Sequence, residues 1–197
     1  MATAILARHG ESDVSIREAI NGDPRVAVGL TPAGEDQARR LGEELANEPI
    51  DLCVVSEFPR TRRTAEVALA GRPVPMEVWR ELNDPRYGSF EGGSLEAYRE
   101  WASTHGSRDL PPGDGESRHA IVSRYAVAFR RLAERPERAV LAVIHSLPIS
   151  YALAAVRGDV PAPRVEVVEY AHAIWLSEDE LRDAVWQLEA WCAAPTW

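Results

Sequence analysis

Short apolar runs alternate along this chain with segments of helical period. Thr3–Ala7, Ile50–Val55 and Ala139–Ile144 are apolar nearly throughout and read as buried strands, and another lies within Val74–Leu82. Between them the spacing turns helical. Thr31 is placed as an N-cap before Pro32, Ala38, Leu41 and Leu45 follow on one face, and Asn47 and Pro49 stop the helix. Pro59 opens a second helix that runs through Ala70 and is closed by Gly71. Leu95–Ser103, Glu116–Glu134 and about Pro148–Val156 read as further helices, and Asn83–Gly93 and Asp109–Gly115 as turns and loop. Val165–Leu176 and Ala184–Trp191 read as two more strands in the tail.

Strands alternating with helices predict right-handed crossovers and a mostly parallel sheet covered on both faces. The expected fold class is α/β, a three-layer α/β/α sandwich formed by one domain over residues 1–197, with the last strand free to run antiparallel.

Composition narrows the function. The net charge is −9, which argues against nucleic acid or an anionic membrane surface as the main partner. No apolar stretch approaches the ~20 residues of a membrane span, and no basic segment leads into an apolar one as in an export signal. Cys53 and Cys192 supply neither a disulfide framework nor a metal-ligand spacing, so a reducing cytoplasm is the expected location. All 22 basic residues are arginine, which excludes lysine as a nucleophile.

In parallel sheets of this kind ligands bind beyond the carboxyl ends of the strands. Those places are occupied here by Arg8, His9, Gly10 and Glu11, then Ser56 with Arg60 one turn on, then Asp84, then His145 and Ser146. Two arginines, two histidines and a carboxylate thus share one rim. Guanidinium forks match phosphate oxygens, and a helix N-terminus adds N–H donors for the same anion. A histidine among arginines keeps its neutral, nucleophilic form.

These residues lie in motifs that resemble the histidine phosphatase superfamily, the phosphoglycerate mutase-like fold. Arg8-His9-Gly10-Glu11-Ser12 is similar to its Arg-His-Gly signature, and "GLTPAGEDQARRLGEEL" to its Leu-Thr-x-x-Gly helix. "SEFPRTRRTAEVA" aligns Arg60 with the second phosphate-binding arginine, "ELNDPRYGSFEGG" and "GESRHAIVSR" follow in family order, and "VIHS" aligns His145 with the second histidine. The resemblance implies that His9 becomes phosphorylated and that Arg8, Arg60 and His145 hold the transferring group. It implies that Ser12, Ser15 and Ser146 add substrate contacts, and that neither metal nor cofactor is required. Asp84 stands where the family's proton donor is usually glutamate, with Glu81 and Glu91 as alternatives. Ser15 stands where asparagine is common, and Ser146 where glycine is common.

The implied function is hydrolysis of a small phosphorylated metabolite. Mutase-type phosphotransfer and phospho-ligand binding by a weakened site stay open beside it. Selectivity is expected from loops Ile16–Gly29 and Glu91–Gly113, although no spacing places Arg25, Arg86 or Tyr87 against a leaving group. His105, His119 and His172 match no motif and read as surface or packing residues. Trp175, Trp186, Trp191 and Trp197 crowd the tail, which is compatible with a homodimer.

Overall fold

The computed structural model describes residues 3–197. Strands β1 (Thr3–Arg8), β2 (Leu52–Val55), β3 (Met76–Val78) and β4 (Ala139–Ile144) run parallel. A fifth, β5 (Ala173–Ser177), pairs antiparallel with β1. The strand order is β3-β2-β4-β1-β5.

Side chains alternate across the sheet, so each central strand needs apolar residues at both parities. Ile5, Ala7, Cys53, Val55, Leu141 and Val143 form one core with α1 (Pro32–Glu44) and α2 (Pro59–Ala68). Ala4, Leu6, Leu52, Val54, Val140 and Ala142 form the other, under α4 (Arg118–Ala133), α5 (Ser146–Val156) and α6 (Glu178–Ala193). Between these, α3 (Leu95–Ser103) carries Tyr98 into a small separate cluster with Ile20 and Tyr87. The expected three-layer sandwich with a mostly parallel sheet is what forms. Among the described residues no helix is long and apolar enough to cross a membrane.

Two expectations are corrected, and the strand expected within Val74–Leu82 is present. Ala184–Trp191 is not a strand but the body of α6. Its buried residues, Leu181, Ala184, Val185, Leu188 and Trp191, recur at helical spacing. The helix also opens on a capping box between Ser177 and Glu180, a feature that contributes about 1 kcal/mol. Within Val165–Leu176 only the end is strand, and Val74–Leu82 yields a short edge strand followed by a 3₁₀ turn over Arg80–Leu82. The tail tryptophans divide: Trp191 is buried in the core, whereas Trp175 and Trp186 are exposed.

The sheet places β1, β4 and β2 side by side, so the residues that leave their carboxyl ends converge. The first of these turns is held by an unusually close backbone approach. A Cβ on Gly34 would lie 2.0 Å from the Glu11 carbonyl oxygen, and one on Gly10 would lie 2.5 Å from that of Gly34. The Arg-His-Gly turn therefore sits directly on the first turn of α1, where only glycine fits. Thr31 completes the joint: its hydroxyl accepts from Gly34 N at 3.0 Å and donates to Glu11 Oε1 at 2.7 Å.

Candidate active site

His9 leaves β1 and is 5% exposed. Its Nδ1 lies 2.7 Å from the Gly10 carbonyl oxygen. A carbonyl only accepts, so the proton of the neutral ring sits on Nδ1 and the lone pair on Nε2. Arg60 Nε donates to that Nε2 at 3.2 Å. Burial pushes the His9 pKa well below the imidazole range, and the charges of Arg60 and Arg8 push it further.

Arg60, the second residue of α2, is 2% exposed. Its Nη1 donates to Asn21 Oδ1 at 2.7 Å, and its Nη2 donates to Asp84 Oδ2 at 2.9 Å and to the Asn21 carbonyl at 3.2 Å. The Phe58 ring lies under the guanidinium, 4.2 Å away. Arg8 faces it from β1. Arg8 donates through Nη1 to the Val168 carbonyl at 2.8 Å and lies 3.7 Å from the Tyr170 ring centroid. Its Nε is buried and meets no hydrogen-bond partner among the described residues. An unmatched buried donor costs about 1–3 kcal/mol, and Arg8 lines the cleft.

Asp84 is brought in by a brace on α4. Arg124 pairs with Glu116 through Nε at 2.9 Å and Nη2 at 3.0 Å, and it donates to the carbonyls of Glu81, Asn83 and Asp84. Glu116 is thus a structural clamp. Burial raises the Asp84 pKa above the ordinary aspartate range, opposed by Arg60, Arg8 and Arg124. Glu81 lies near Arg131 and does not line the cleft. Glu91 is committed to the backbone N–H groups of Gly22 and Tyr87 at 2.8 and 2.9 Å. Of the three carboxylates considered, Asp84 alone stands in the cleft.

His145 caps α5 at the end of β4 and is 1% exposed. Its ring lies edge-on to His9, centroids 5.4 Å apart. Nε2 is 2.9 Å from Ser56 Oγ, and Nδ1 is 3.3 Å from Asp84 Oδ2 and 3.4 Å from Arg60 Nη2. Burial, then Arg60, holds its pKa well below the usual value.

The serines take different places. Ser15 lines the cleft, whereas Ser12 is fully buried behind it, the two hydroxyls 2.8 Å apart. Ser146 lines the cleft, but its hydroxyl accepts from Val168 N at 2.9 Å and so pins the tail loop to α5. The cleft itself has a volume of about 530 Å³. Its walls come from residues 14–21, 94–99 and, unanticipated in the sequence, 163–170. Asn21 and Tyr170 line the cleft from outside the quoted motifs, and Arg118 lines it from within "GESRHAIVSR". Tyr87 does line the cleft, while Arg25 pairs with Asp23 in solvent.

Several known proteins are similar to this chain in sequence. The adenosylcobalamin/alpha-ribazole phosphatase of Salmonella typhimurium is 30% identical over 135 residues, 64% of this chain and 65% of that protein. The 2,3-bisphosphoglycerate-dependent phosphoglycerate mutase of Methylobacterium sp. is 33% identical over 133 residues, 61% of this chain and 62% of that protein. The chain thus spans a little under two thirds of the length of either. The structure of TTHB049 from Thermus thermophilus superposes with a TM-score of 0.68 at 27% identity, covering 88% of this chain and 92% of that one. The family model of the histidine phosphatase superfamily, branch 1, matches residues 4–193, and the chain belongs to that family.

Proposed function

We propose that this protein hydrolyses a small phosphomonoester through a phosphohistidine on His9. The observation that carries the reading is the state of that imidazole. It is buried and neutral, with Nδ1–H spent on Gly10 and the Nε2 lone pair directed to Arg60. Two guanidiniums, one with an unmatched N–H, flank it.

A phosphoryl oxygen is a stronger acceptor than an imidazole nitrogen, so the Arg60 donor moves to it and frees Nε2. Nε2 then attacks phosphorus and the P–O ester bond breaks. Asp84 gives its proton to the departing alkoxide oxygen. In the second step the Asp84 carboxylate takes a proton from water, the hydroxyl adds to phosphorus, and the P–N bond breaks to return neutral His9. Arg8 and Arg60 carry the charge of the equatorial oxygens, which is most of what phosphoryl transfer asks of a protein. The dianion adds negative charge beside Asp84 and favours its protonated form further. His145 adds its Nδ1 edge to the Arg60–Asp84 side of the cage.

Hydrolysis of p-nitrophenyl phosphate by the purified protein tests the reading, and its absence counts against it. The acid role has a sharper test. General acids contribute about 10²–10⁴-fold. Asp84→Asn keeps the size of the side chain and removes its proton, so kcat/KM for an alkyl phosphate is expected to fall about 100-fold or more. The fall for p-nitrophenyl phosphate, whose leaving group needs little protonation, is expected to be under about tenfold. In the wild type, activity requires neutral His9 and protonated Asp84. The acidic limb is therefore expected below the imidazole range, and the alkaline limb above the ordinary aspartate range. The alkaline limb should vanish in Asp84→Asn. Equal losses on both esters, or an unchanged alkaline limb, would move the acid elsewhere. Retention of the phosphoryl group on a phosphoglycerate, primed with 2,3-bisphosphoglycerate, would instead mark the mutase reaction.

A further inference from the structure

The phosphoryl cage leaves two arginines of the cleft outside it, Arg99, which lies near Glu96, and Arg118. Arg118, the first residue of α4, is 6% exposed and lines the cleft. Nε donates to Tyr98 Oη at 3.1 Å, Nη1 to Tyr151 Oη at 2.8 Å and Nη2 to the Pro163 carbonyl at 3.4 Å. These acceptors are neutral. Among the described residues no carboxylate forms an ion pair with Arg118, although two other deeply set guanidiniums have one: Arg60 meets Asp84, and Arg124 meets Glu116. Arg8 lacks one too, but belongs to the phosphoryl cage.

A buried charge without a counter-ion is costly, and three hydrogen bonds leave part of the five-donor fork unused. The carboxylates of the same cleft do not fill the gap. Glu96 is held by Arg164 and lies near Arg99, while Glu18 and Glu166 are exposed to solvent. The fork is also fixed in advance. Tyr98 is buried and wedged edge-on against Tyr87, centroids 4.7 Å apart, and Tyr151 is buried beneath it in the core. A rigid guanidinium with spare donors, in a cleft that also holds a phosphoryl cage, has the properties of an anion receptor.

We propose that Arg118 binds a second negative group, a carboxylate or a phosphate, on the alcohol part of the phosphomonoester. The inference deepens the phosphatase reading and rests on it for the orientation of the substrate, but binding alone tests it. The probes are matched pairs in which an acidic group replaces a hydroxymethyl or hydroxyl: 3-phosphoglycerate with glycerol 3-phosphate, 4-carboxyphenyl phosphate with 4-(hydroxymethyl)phenyl phosphate, and 1,3-propanediol bisphosphate with 3-hydroxypropyl phosphate. Affinities are measured by calorimetry in the His9→Ala background, where nothing turns over.

The acidic member of at least one pair is expected to bind about tenfold tighter or more, as for a charge-assisted hydrogen bond. Whether the carboxylate or the bisphosphate pair responds identifies the group. Arg118→Gln, which keeps a donor for the phenols, is expected to bring the preference within about twofold while leaving the neutral member little changed. Arg118→Lys keeps a charge without the fork and retains part of the preference, and it serves if the glutamine variant does not fold. Absence of any preference with Arg118 intact overturns the proposal. So does a preference that survives Arg118→Gln, or equal weakening of both members of a pair by either variant. Should the preference hold while the unmodified protein releases no phosphate from any ester, the subsite stands and the phosphatase reading falls.

Discussion

His9→Ala is expected to reduce phosphatase turnover to background, a loss on the order of 10⁵-fold or more, as for removal of other covalent nucleophiles. The size follows from the absence of a substitute at the reacting position. His145 is close, at 5.4 Å between ring centroids, but its Nε2 is engaged by Ser56 and its Nδ1 faces Asp84 and Arg60. Cys53 is fully buried in the core, where burial pushes its thiol up to about 12. The chain has no lysine to take over. The alanine variant loses one buried ring and keeps Arg8 and Arg60, so it should still bind phosphate. Steady-state kinetics together with phosphate titration check both halves. Residual turnover within about 100-fold of wild type would place the nucleophile elsewhere.

Arg60→Lys is expected to cost about 10³-fold in kcat/KM, within the 10³–10⁵ range seen for arginines that stabilise phosphoryl transfer. Charge is conserved in this substitution, so the loss measures the fork. The Arg60 guanidinium reaches His9, Asn21, Asp84 and His145 at once from one planar group. An ammonium is a point charge and cannot span these directions. Arg60→Met should cost more and also lower the melting temperature. It leaves Asp84 without its cation and Asn21 Oδ1 without its donor, and removing one partner of a buried pair costs about 3–5 kcal/mol. Part of that cost is relieved as Asp84 takes up a proton, so the destabilisation should shrink as the pH falls through the raised Asp84 pKa. A lysine variant with nearly full activity would mean that Arg60 serves the fold and not the phosphoryl group.

The parts of this site legible in the sequence are those attached to strand ends. Arg8, His9 and His145 follow runs so apolar that their strand ends are unmistakable, and Arg60 sits one turn into a helix opened by Pro59. Asp84 is readable because turn formers surround it. What stays hidden depends on the path of long loops. Asn21 meets Arg60 across 39 residues and Tyr170 stacks on Arg8 from the far end of the chain, and neither pairing follows from any local period. The tail helix reads as a strand for a different reason. Aromatic and β-branched residues in "AVWQLEAW" favour strand locally, while the deciding signals, Ser177 with Glu180 and the spacing of Leu181, Ala184, Leu188 and Trp191, lie partly outside that window. Residues 165–169 lie outside any strand, and Val165, Glu166 and Val167 line the cleft instead.

Ser12 shows how a motif residue can serve a site without touching its ligand. It is sealed from the cleft, and its hydroxyl holds that of Ser15, which faces the opening. Ser146 uses its side chain in the same manner, on the backbone of Val168, whose carbonyl in turn holds Arg8. The two serines thus keep the 12–15 turn and the tail loop in place around the phosphoryl cage.

The most direct measurement is a rapid quench into alkaline denaturant of the enzyme turning over a ³²P-labelled ester, followed by digestion and mass spectrometry at alkaline pH. Phosphorylation is expected on His9 at Nε2 alone, labile in acid and stable in base, formed and discharged as fast as the ester is hydrolysed. Full turnover without a phosphoenzyme, or label on another residue, would contradict it.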